Sequence, residues 1–339
     1  MSGLPDIFNL PPVNTDLSGK TVIIIGANTG LGLEAAKHFA KLNLKRLIVG
    51  CRSEEKCAST CSVIVKETGF DRVEGWPIEL GSFESVIAFA DRFASDGGHL
   101  DLLLNNAAVL MPRYEQTENG WETSIQVNHL SGALLAFLLL PHILRTAEET
   151  SSIGRIVFVT SSTHGWVDFS SGNVPSDGDL LRTLSSKEFC NTDAMRKRYP
   201  ETKLLNVLFV REFNDHIRST LPVVVTSVDP GLCATDLARN APISQELKEK
   251  MKYARTAEEG SRQLIRASLL PLSGDREVDE LSIDQFRGAY YSNNAIKPPS
   301  DWVRSDEGKK IQSKVWSETV AELSKVSAKV KEVVQEYGL

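Results

Sequence analysis

Residues 20–43 read KTVIIIGANTGLGLEAAKHFAKLN, a run that changes character twice. It opens with four β-branched residues, Val22 to Ile25, which are typical of a buried strand. A glycine-rich turn follows. The next apolar residues recur at helical spacing, namely Ala35, Ala36, Phe39 and Ala40. The run therefore predicts a strand, a tight turn and a helix with one buried face.

Apolar runs and helical patterns go on alternating beyond this point. KRLIVGC, VEGWPIEL, LDLLLNN, GRIVFVTSS and PVVVTSVDPG predict five more strands, and residues 289–292 a short seventh. The intervening helices include one capped by Ser53 and ended by Gly69, one opened by Ser82, a long one at about 119–147 and one at about 201–219. Because continuous apolar strands are typical of sheets buried on both faces, we expect an α/β fold: a Rossmann-type doubly wound parallel sheet of about seven strands.

The domain organisation is expected to be simple. No linker or repeat divides residues 1–300, which predict one dinucleotide-binding catalytic domain. Residues 301–339 predict a C-terminal extension, in which apolar residues at steps of three and four between about 307 and 337 predict a long amphipathic helix. Packing on the domain is the expected arrangement for this helix; a partner helix and a membrane-surface helix are the alternatives.

Composition excludes several classes of protein. The chain has 339 residues, a net charge of −6 and no basic run, so no nucleic-acid partner is expected. Five cysteines without framework spacing predict reduced thiols, and no metal site is expected. The first ten residues lack the features of a signal peptide, and the longest apolar stretch, 133–141, is too short to be a transmembrane segment. A cytoplasmic protein is expected, with peripheral membrane association left open.

The glycine-rich turn carries the first chemical signal. Gly26, Gly30 and Gly32 lie between the first strand and the first helix. Without side chains there, backbone amides can approach a pyrophosphate, and the helix N-terminus favours an anion. The turn therefore predicts nucleotide binding.

The spacing of these glycines resembles that of the short-chain dehydrogenase/reductase superfamily. Five further motifs follow in the family's order: NNAA at 105–108, QVNHLS around Asn128, RIVFVTSS at 155–162, which resembles the strand that ends in the catalytic serine, YPETK at 199–203 and DPGLCAT at 229–235. Ala108 replaces the family's usual glycine. The resemblance covers residues 18–240 and is nearest to the retinol-dehydrogenase-like and fungal reductase branches. It is followed by a region at about 232–300 that resembles the family's substrate lid.

The resemblance implies a set of site residues. A hydride reduction of a carbonyl leaves an alkoxide that must be protonated, and Tyr199 would supply this proton. Lys203 would lower the pKa of the tyrosine, whose unperturbed value is about 10. Ser161 would hydrogen-bond the substrate oxygen, with Ser162 as the alternative, and Asn128 would hold a proton-relaying water. The implied cofactor-binding residues are Gly26, Asn28, Thr29, Gly30, Leu31, Gly32, Arg52, Glu79, Leu80, Asn106, Ala107, Tyr199, Lys203, Pro230, Gly231, Leu232 and Thr235.

The end of the second strand bears on the choice of cofactor. A carboxylate there would bind the ribose 2′-hydroxyl of NAD(H). Cys51 occupies that position and Arg52 follows it. Because an arginine suits a 2′-phosphate, NADP(H) is expected over NAD(H).

Pro200 separates the two residues of the tyrosine–lysine pair. Proline is tolerated in the first turn of a helix, where its missing N–H would be unpaired anyway. We therefore expect this helix to begin no earlier than about Arg196.

The substrate is harder to predict. Ser161 and Tyr199 lie 38 residues apart, more than is usual in the family, so an insertion at about 164–195 is expected beside the site. In it, Trp166 and Phe169 are candidate substrate contacts or core residues. A lipophilic aldehyde or ketone is the expected substrate, and the assembly is a monomer or a homodimer. The alternative function is a dinucleotide-binding regulatory protein that turns over little substrate.

Overall fold

A single eight-stranded sheet organises the protein. The computed structural model describes residues 11–170, 178–218, 220–239, 245–269 and 283–339. The strands are β1 (Thr21–Ile25), β2 (Arg46–Cys51), β3 (Val73–Pro77), β4 (Leu102–Asn105), β5 (Gly154–Val159), β6 (Val223–Asp229), β7 (Tyr290–Ser292) and β8 (Ala295–Lys297). Their order is β3-β2-β1-β4-β5-β6-β7-β8, and every neighbouring pair is parallel except β7 and β8. The predicted doubly wound parallel sheet is confirmed.

The eighth strand was not predicted. Asn293 and Asn294, between β7 and β8, have φ values of 48° and 65°. Two consecutive residues with positive φ are typical of a two-residue hairpin turn, and asparagine tolerates this conformation. The Asn-Asn pair is thus the local signal for the antiparallel strand that ends the sheet.

Helices cover both faces of the sheet. They are α1 (Gly30–Ala40), α2 (Glu54–Thr68), α3 (Phe83–Asp96), α4 (Thr123–Ile125), α5 (Ser131–Glu149), α6 (Leu180–Ser185), α7 (Thr192–His216), α8 (Gln245–Met251), α9 (Ala257–Leu269), α10 (Asp301–Arg304), α11 (Asp306–Val326) and α12 (Ala328–Tyr337). Successive residues of β1 point to opposite faces. Val22 and Ile24 pack in the core with α1, α2 and α9, whereas Ile23 and Ile25 pack in the core with α3, α5 and α7.

The long apolar helix starts later than predicted. Gln116 and Glu122 form an antiparallel bridge, so the helix begins only at Thr123. It runs to Glu149 through a π-helical turn, Gln126–Leu130, between α4 and α5. In the described part of the chain it is the one helix whose length and composition would let it cross a bilayer, but 89% of its apolar window is buried inside the protein. It is a core helix, as predicted.

The tyrosine helix also differs from the prediction. α7 begins at Thr192 and continues unbroken through Pro200, so the expected start near Arg196 was wrong. An interior proline costs about 3 kcal/mol. Two features of the surrounding structure stand out in this helix. The Asn191 side chain caps the helix by accepting the N–H groups of Asp193 and Ala194, and the Arg198 side chain is fully buried in ion pairs.

The C-terminal extension forms two helices rather than one. Ser327 is extended and separates α11 from α12. α11 packs on α7 and α6, and α12 packs on α5. The apolar stripe is buried in these contacts, with Val315 and Leu323 from α11 and Val330 and Val333 from α12 in the core. The expected packing of this region on the rest of the protein is therefore confirmed.

Candidate active site

The segments that carry the predicted site residues all follow strand ends. The glycine turn follows β1, Arg52 follows β2 and Glu79 lies just beyond β3. Asn106, Ser161 and Pro230 follow β4, β5 and β6 in the same way. Because the carboxyl ends of parallel strands meet at one edge, the fold brings these segments together there. The strand order reverses between β1 and β4, and the crevice at such a point is where doubly wound sheets bind ligands.

The glycine turn after β1 requires its glycines. A Cβ atom on Gly32 would lie 2.2 Å from the Gly26 carbonyl oxygen and 2.5 Å from Asn106 Nδ2. One on Gly26 would lie 2.8 Å from the Cα of Ala107. Asn106 Nδ2 donates to the Gly26 carbonyl at 2.9 Å. Asn106 and Ala107 thus buttress the turn from β4.

The N-terminus of α1 is open to a ligand. Ser53 and Ser82 cap α2 and α3 by accepting backbone N–H groups, as predicted. No side chain caps α1, and the Thr29 hydroxyl instead donates to Asp236 at 3.2 Å. Unpaired amides at a helix N-terminus bind phosphate groups. The backbone of the turn, with Asn28 and Leu31 half-buried on it, fits the pyrophosphate of a dinucleotide.

The segment after β6 lies over the same turn. Thr235 comes within 3.4 Å of the position that a Cβ of Gly30 would occupy. Arg255 Nη1 donates to the Pro230 carbonyl at 2.7 Å, and the Arg255 N–H to the Leu232 carbonyl at 2.9 Å. Pro230 to Thr235, with Gly231 at a φ of 79°, thus forms the side of the crevice opposite β1. Residues 240–244 and 270–282 of the predicted lid region lie outside the described residues.

The end of β2 presents an arginine and no carboxylate of its own. Cys51 is 2% exposed and its thiol faces Thr60. Arg52 is 56% exposed, and its Nε lies 3.1 Å from Glu79 Oε2. Leu80, next to Glu79, is buried, and its carbonyl accepts the Ser131 hydroxyl. A 2′-phosphate at this position would meet Arg52 and compete with Glu79 for it.

The end of β5 and the middle of α7 bring the tyrosine, lysine and serine together. Lys203 Nζ donates to the Val159 carbonyl at 2.7 Å and lies 5.4 Å from the centre of the Tyr199 ring. Ser161 Oγ accepts the Thr163 N–H and so caps the 3₁₀ helix Ser162–Trp166, which packs on α7. Ser161 is half-buried, whereas Ser162 is exposed.

Asn128 lies in the π-helical turn, a type of turn frequent at functional sites. Its side chain bonds both backbone groups of Val109, at 2.7 and 2.9 Å, and donates to Thr202 at 3.0 Å. Because these contacts hold the side chain, the backbone carbonyl is the group left for other roles. A cavity of about 10 Å³ lies against Asn128, Asn105 and Asn206. Its volume suits about one water molecule.

Burial dominates the titration of the tyrosine and the lysine. It raises the pKa of the Tyr199 hydroxyl, and the charges of Asp229 and Cys233 add to this rise. It lowers the pKa of Lys203 to about 7, against the opposing effect of Asp229. Both groups are thus shifted toward their neutral forms, and the effect of Lys203 on the pKa of Tyr199 stays a prediction.

The insertion separates the two aromatic candidates. Phe169 is buried in the core, and its ring lies 6.2 Å from that of Trp302. Trp166 is 73% exposed. Of the two alternatives, Phe169 is a core residue, and Trp166 is available to a substrate. Residues 171–177 of the insertion lie outside the described residues.

His164 is a site residue that sequence reasoning missed. Its Nδ1 donates to the Ser161 carbonyl at 2.8 Å, and its Nε2 accepts the Ser300 N–H at 3.1 Å. Both backbone partners fix the ring and its tautomer. Because Ser300 is 136 residues away, no local pattern marks His164 as a support for the serine segment.

Arg198, next to Tyr199, was also missed. It is fully buried, with its Nη1 2.7 Å from Glu201 and its Nε 3.3 Å from Glu122. Nη2 contacts the Cys190 thiol of the insertion. The arginine thus joins the insertion, α4 and α7 around the tyrosine. Because Arg198 lies in the polar run RKRYPETK, the sequence predicts a surface residue at this position.

Known proteins are similar to this chain in sequence. The family model for short chain dehydrogenases matches residues 20–173. Short chain dehydrogenase sol3 of Alternaria solani is 37% identical over 84% of this chain and 93% of its own. Short chain dehydrogenase/reductase dmxR8 of Cryptosporiopsis is 33% identical over 94% of both chains. The chain belongs to the short-chain dehydrogenase/reductase family of oxidoreductases.

Solved structures agree on the fold. An uncharacterized protein from Mycobacterium paratuberculosis matches with a TM-score of 0.65 at 21% identity, over 92% of this chain and 96% of its own. NADPH-bound carbonyl reductase from chicken fatty liver matches with a TM-score of 0.54 at 17% identity, over 83% of this chain and 99% of its own.

Proposed function

We propose that the protein is an NADP(H)-dependent oxidoreductase that interconverts an aldehyde or ketone and the corresponding alcohol. One observation carries the proposal. Lys203 lies against Tyr199 and bonds the carbonyl of Val159, the last residue of β5 and two residues before Ser161, at the same sheet edge as the glycine turn. A hydride donor bound at that turn and a carbonyl held at Ser161 would therefore meet beside a proton donor.

Each catalytic candidate has a role that its surroundings support. Because burial keeps the Tyr199 hydroxyl protonated, it is suited to give a proton to the alkoxide that reduction forms. Lys203, with a pKa of about 7, is suited to pass a proton on near neutral pH. Ser161 would donate to the substrate oxygen, and Asn128 would hold one relaying water in the adjoining cavity. When bound, NADP(H) supplies the hydride.

Arg52 supports NADP(H) over NAD(H). Arg52 is exposed at the end of β2. A carboxylate at position 51 would favour NAD(H), but the sequence has Cys51 there. The chicken carbonyl reductase of the same fold is NADPH-bound. Glu79 would have to release Arg52, in part or wholly, when a 2′-phosphate binds.

The exposed apolar residues support a lipophilic substrate. In the described part of the chain, large hydrophobic side chains are exposed at four positions: Val65, Trp166, Leu232 and Tyr253. Three of these belong to the segments after β5 and β6, which border the crevice. A cleft of about 360 Å³ opens beside Trp166, Val167 and Phe189, but most of its other lining residues are polar or charged, so the cleft itself does not favour an apolar ligand. Exposed apolar side chains on segments that border the crevice suit an apolar substrate.

We also propose that the protein acts as a monomer. In the family, the helices equivalent to α5 and α7 often form a dimer face. Here α12 packs on α5 and α11 packs on α7, where the Trp316 and Phe209 rings stack 5.4 Å apart. Sedimentation should therefore show a single species of 37.3 kDa. Cytoplasmic location stays a prediction.

A carbonyl panel tests the proposed activity. NADPH oxidation is followed at about 340 nm with aliphatic and aromatic aldehydes and ketones of rising chain length, and NADH is run in parallel. We expect turnover with NADPH, better with the more apolar carbonyls. Tight NADPH binding without turnover of any carbonyl would favour the alternative, a regulatory dinucleotide-binding protein. A clear preference for NADH would contradict the role of Arg52.

A further inference from the structure

A chain of buried polar groups runs from Asn128 to the C-terminal helix α11. Asn206 Nδ2 donates to the Asn128 carbonyl at 2.9 Å. The other side-chain atom, Asn206 Oδ1, lies 3.1 Å from His129 Nδ1, and His129 Nε2 lies 3.0 Å from the Thr319 hydroxyl. His129 and Thr319 are fully buried, and Asn206 is 2% exposed.

The direction of every hydrogen bond in this chain follows from its first member. A backbone carbonyl can only accept, so Asn206 must turn its NH₂ group toward Asn128 and its oxygen toward His129. That oxygen also only accepts, so His129 carries its proton on Nδ1. Nε2 is then an acceptor, and the Thr319 hydroxyl must donate to it. Burial lowers the pKa of His129 to about 4, so the ring is neutral at physiological pH.

This series of hydrogen-bonded groups links three elements around the proposed proton relay. Asn128 and His129 belong to the π-helical turn, Asn206 lies on α7 three residues after Lys203, and Thr319 lies on α11. Asn206 and Asn128 also line the small cavity beside the turn. The Asn128 carbonyl is thus linked through three hydrogen bonds to a hydroxyl that is 190 residues beyond His129 in the sequence.

We propose that Thr319 is a positioning residue for catalysis: through His129 and Asn206 it holds the Asn128 carbonyl in place for proton relay. The inference rests on the proposed function, because it assigns the C-terminal helix a part in that reaction. Without the Thr319 hydroxyl, His129 Nε2 has no donor, and the ring loses one of the two hydrogen bonds that orient it. Asn206 can then turn away from the Asn128 carbonyl.

The test compares two substitutions of one residue. Thr319→Val keeps the shape and removes the hydroxyl, whereas Thr319→Ser keeps the hydroxyl. With the carbonyl of highest kcat/KM from the panel, Thr319→Val should lower kcat about tenfold and leave the KM for NADPH unchanged, because the glycine turn is untouched. Thr319→Ser should restore kcat.

A matched control separates positioning from lost stability. Thr146 is also buried on a helix, α5, and its hydroxyl donates to the His142 carbonyl and accepts the Leu100 N–H. Thr146→Val should lower the melting temperature without lowering kcat. Equal kcat in wild type and Thr319→Val, or an equal loss in Thr146→Val, would overturn the proposal.

A spectroscopic readout does not depend on activity. Nitrogen-15 correlation spectra of the imidazole rings, with His129 assigned from a His129→Gln variant, should show its proton on Nδ1 in wild type. A proton on Nε2 would overturn the proposed chain of hydrogen bonds. If the wild-type protein reduces no carbonyl, the proposed function fails first, and the inference falls with it even when the tautomer is as expected.

Discussion

The glycine turn after β1 and the catalytic face of α7 lie at the same edge of the sheet, yet they are built differently. The turn requires glycines, because side chains would not fit there: a Cβ on Gly32 would lie 2.2 Å from the Gly26 carbonyl oxygen. The α7 face works through side chains that distant segments hold in place. Arg198 is buried between Glu122 and Glu201, and His164 is fixed by Ser300.

The difference is one of dependence on the rest of the fold. The turn is contacted by two short segments at the same sheet edge, Asn106 and Ala107 after β4 and Thr235 after β6. The catalytic face needs the insertion and the C-terminal helix together. Glu318 of α11 accepts the N–H groups of Leu180 and Leu181 at the start of α6, and Arg182 of α6 pairs with Glu322. Substitutions should therefore affect cofactor binding and turnover separately.

Tyr199→Phe should have the largest effect of the substitutions, and this effect should be on turnover. Removing a positioned proton donor costs about a hundredfold to ten-thousandfold in rate. We expect kcat to fall by that much while the Kd for NADPH, measured by fluorescence titration, changes far less, because Tyr199 is one of many predicted cofactor contacts. Tyr337→Phe, on α12, is the control and should be fully active. A Tyr199→Phe variant with wild-type kcat would end the proposed mechanism.

Arg198→Met should lower the free energy of unfolding, because Arg198 joins the segments around Tyr199. Removing one partner of a buried ion pair costs about 3–5 kcal/mol, because Glu122 is left buried without its charge partner. Arg196 provides a matched control on the same helix: its pair with Asp193 is exposed, at 76% and 84%. Arg196→Met should change the free energy of unfolding by less than about 1 kcal/mol. Urea unfolding of both variants measures the difference, and equal losses would refute the account of Arg198.

Gly32→Ala should weaken cofactor binding most selectively. The added methyl group would displace the Gly26 carbonyl or Asn106, and overpacking of this kind costs about 1–3 kcal/mol. We expect the Kd for NADPH to rise about a hundredfold, equivalent to about 2.7 kcal/mol. In Gly165→Ala the new Cβ would meet Ser300 at an ordinary 3.4 Å, so that variant should bind NADPH normally. Normal binding by Gly32→Ala would break the comparison.

Arg52→Ala should have the smallest effect, and it tests whether Arg52 contacts the 2′-phosphate. Losing one exposed charge-assisted contact to a 2′-phosphate should cost about 1.5 kcal/mol, or about tenfold in the ratio of kcat/KM for NADPH to that for NADH. Lys56→Ala, on the exposed side of α2, is the control. An unchanged ratio would show that Arg52 does not contact the phosphate.

Sequence patterns predicted most of the fold and the turn, because both depend on local rules. β-branched runs gave the strands, and Ser53, Ser82 and Gly69 mark helix ends where the structure has them. The errors arose where distant contacts outweigh local preference. α7 has an Asn191 cap and the buried ion pairs of Arg198, and it continues through Pro200. The C-terminal extension bends at Ser327, so that α11 packs on α7 and α12 packs on α5.

The catalytic candidates were found by motif, but their environment was not. Nothing near Tyr199 in the sequence shows that burial raises its pKa. His129 and Thr319 are 190 residues apart, so their contact leaves no local pattern. A single sequence shows which residue types are present; the tertiary fold decides which of them are desolvated and which are paired.

Isotope transfer tests the central claim, hydride transfer between NADPH and a carbonyl, most directly. The wild-type protein is incubated with the best carbonyl of the panel and NADPH that carries deuterium at both positions of nicotinamide C4. The account predicts an alcohol with one deuterium on the carbinol carbon, seen by mass spectrometry and proton NMR. An alcohol without deuterium, or no alcohol from any carbonyl despite bound NADPH, would contradict it.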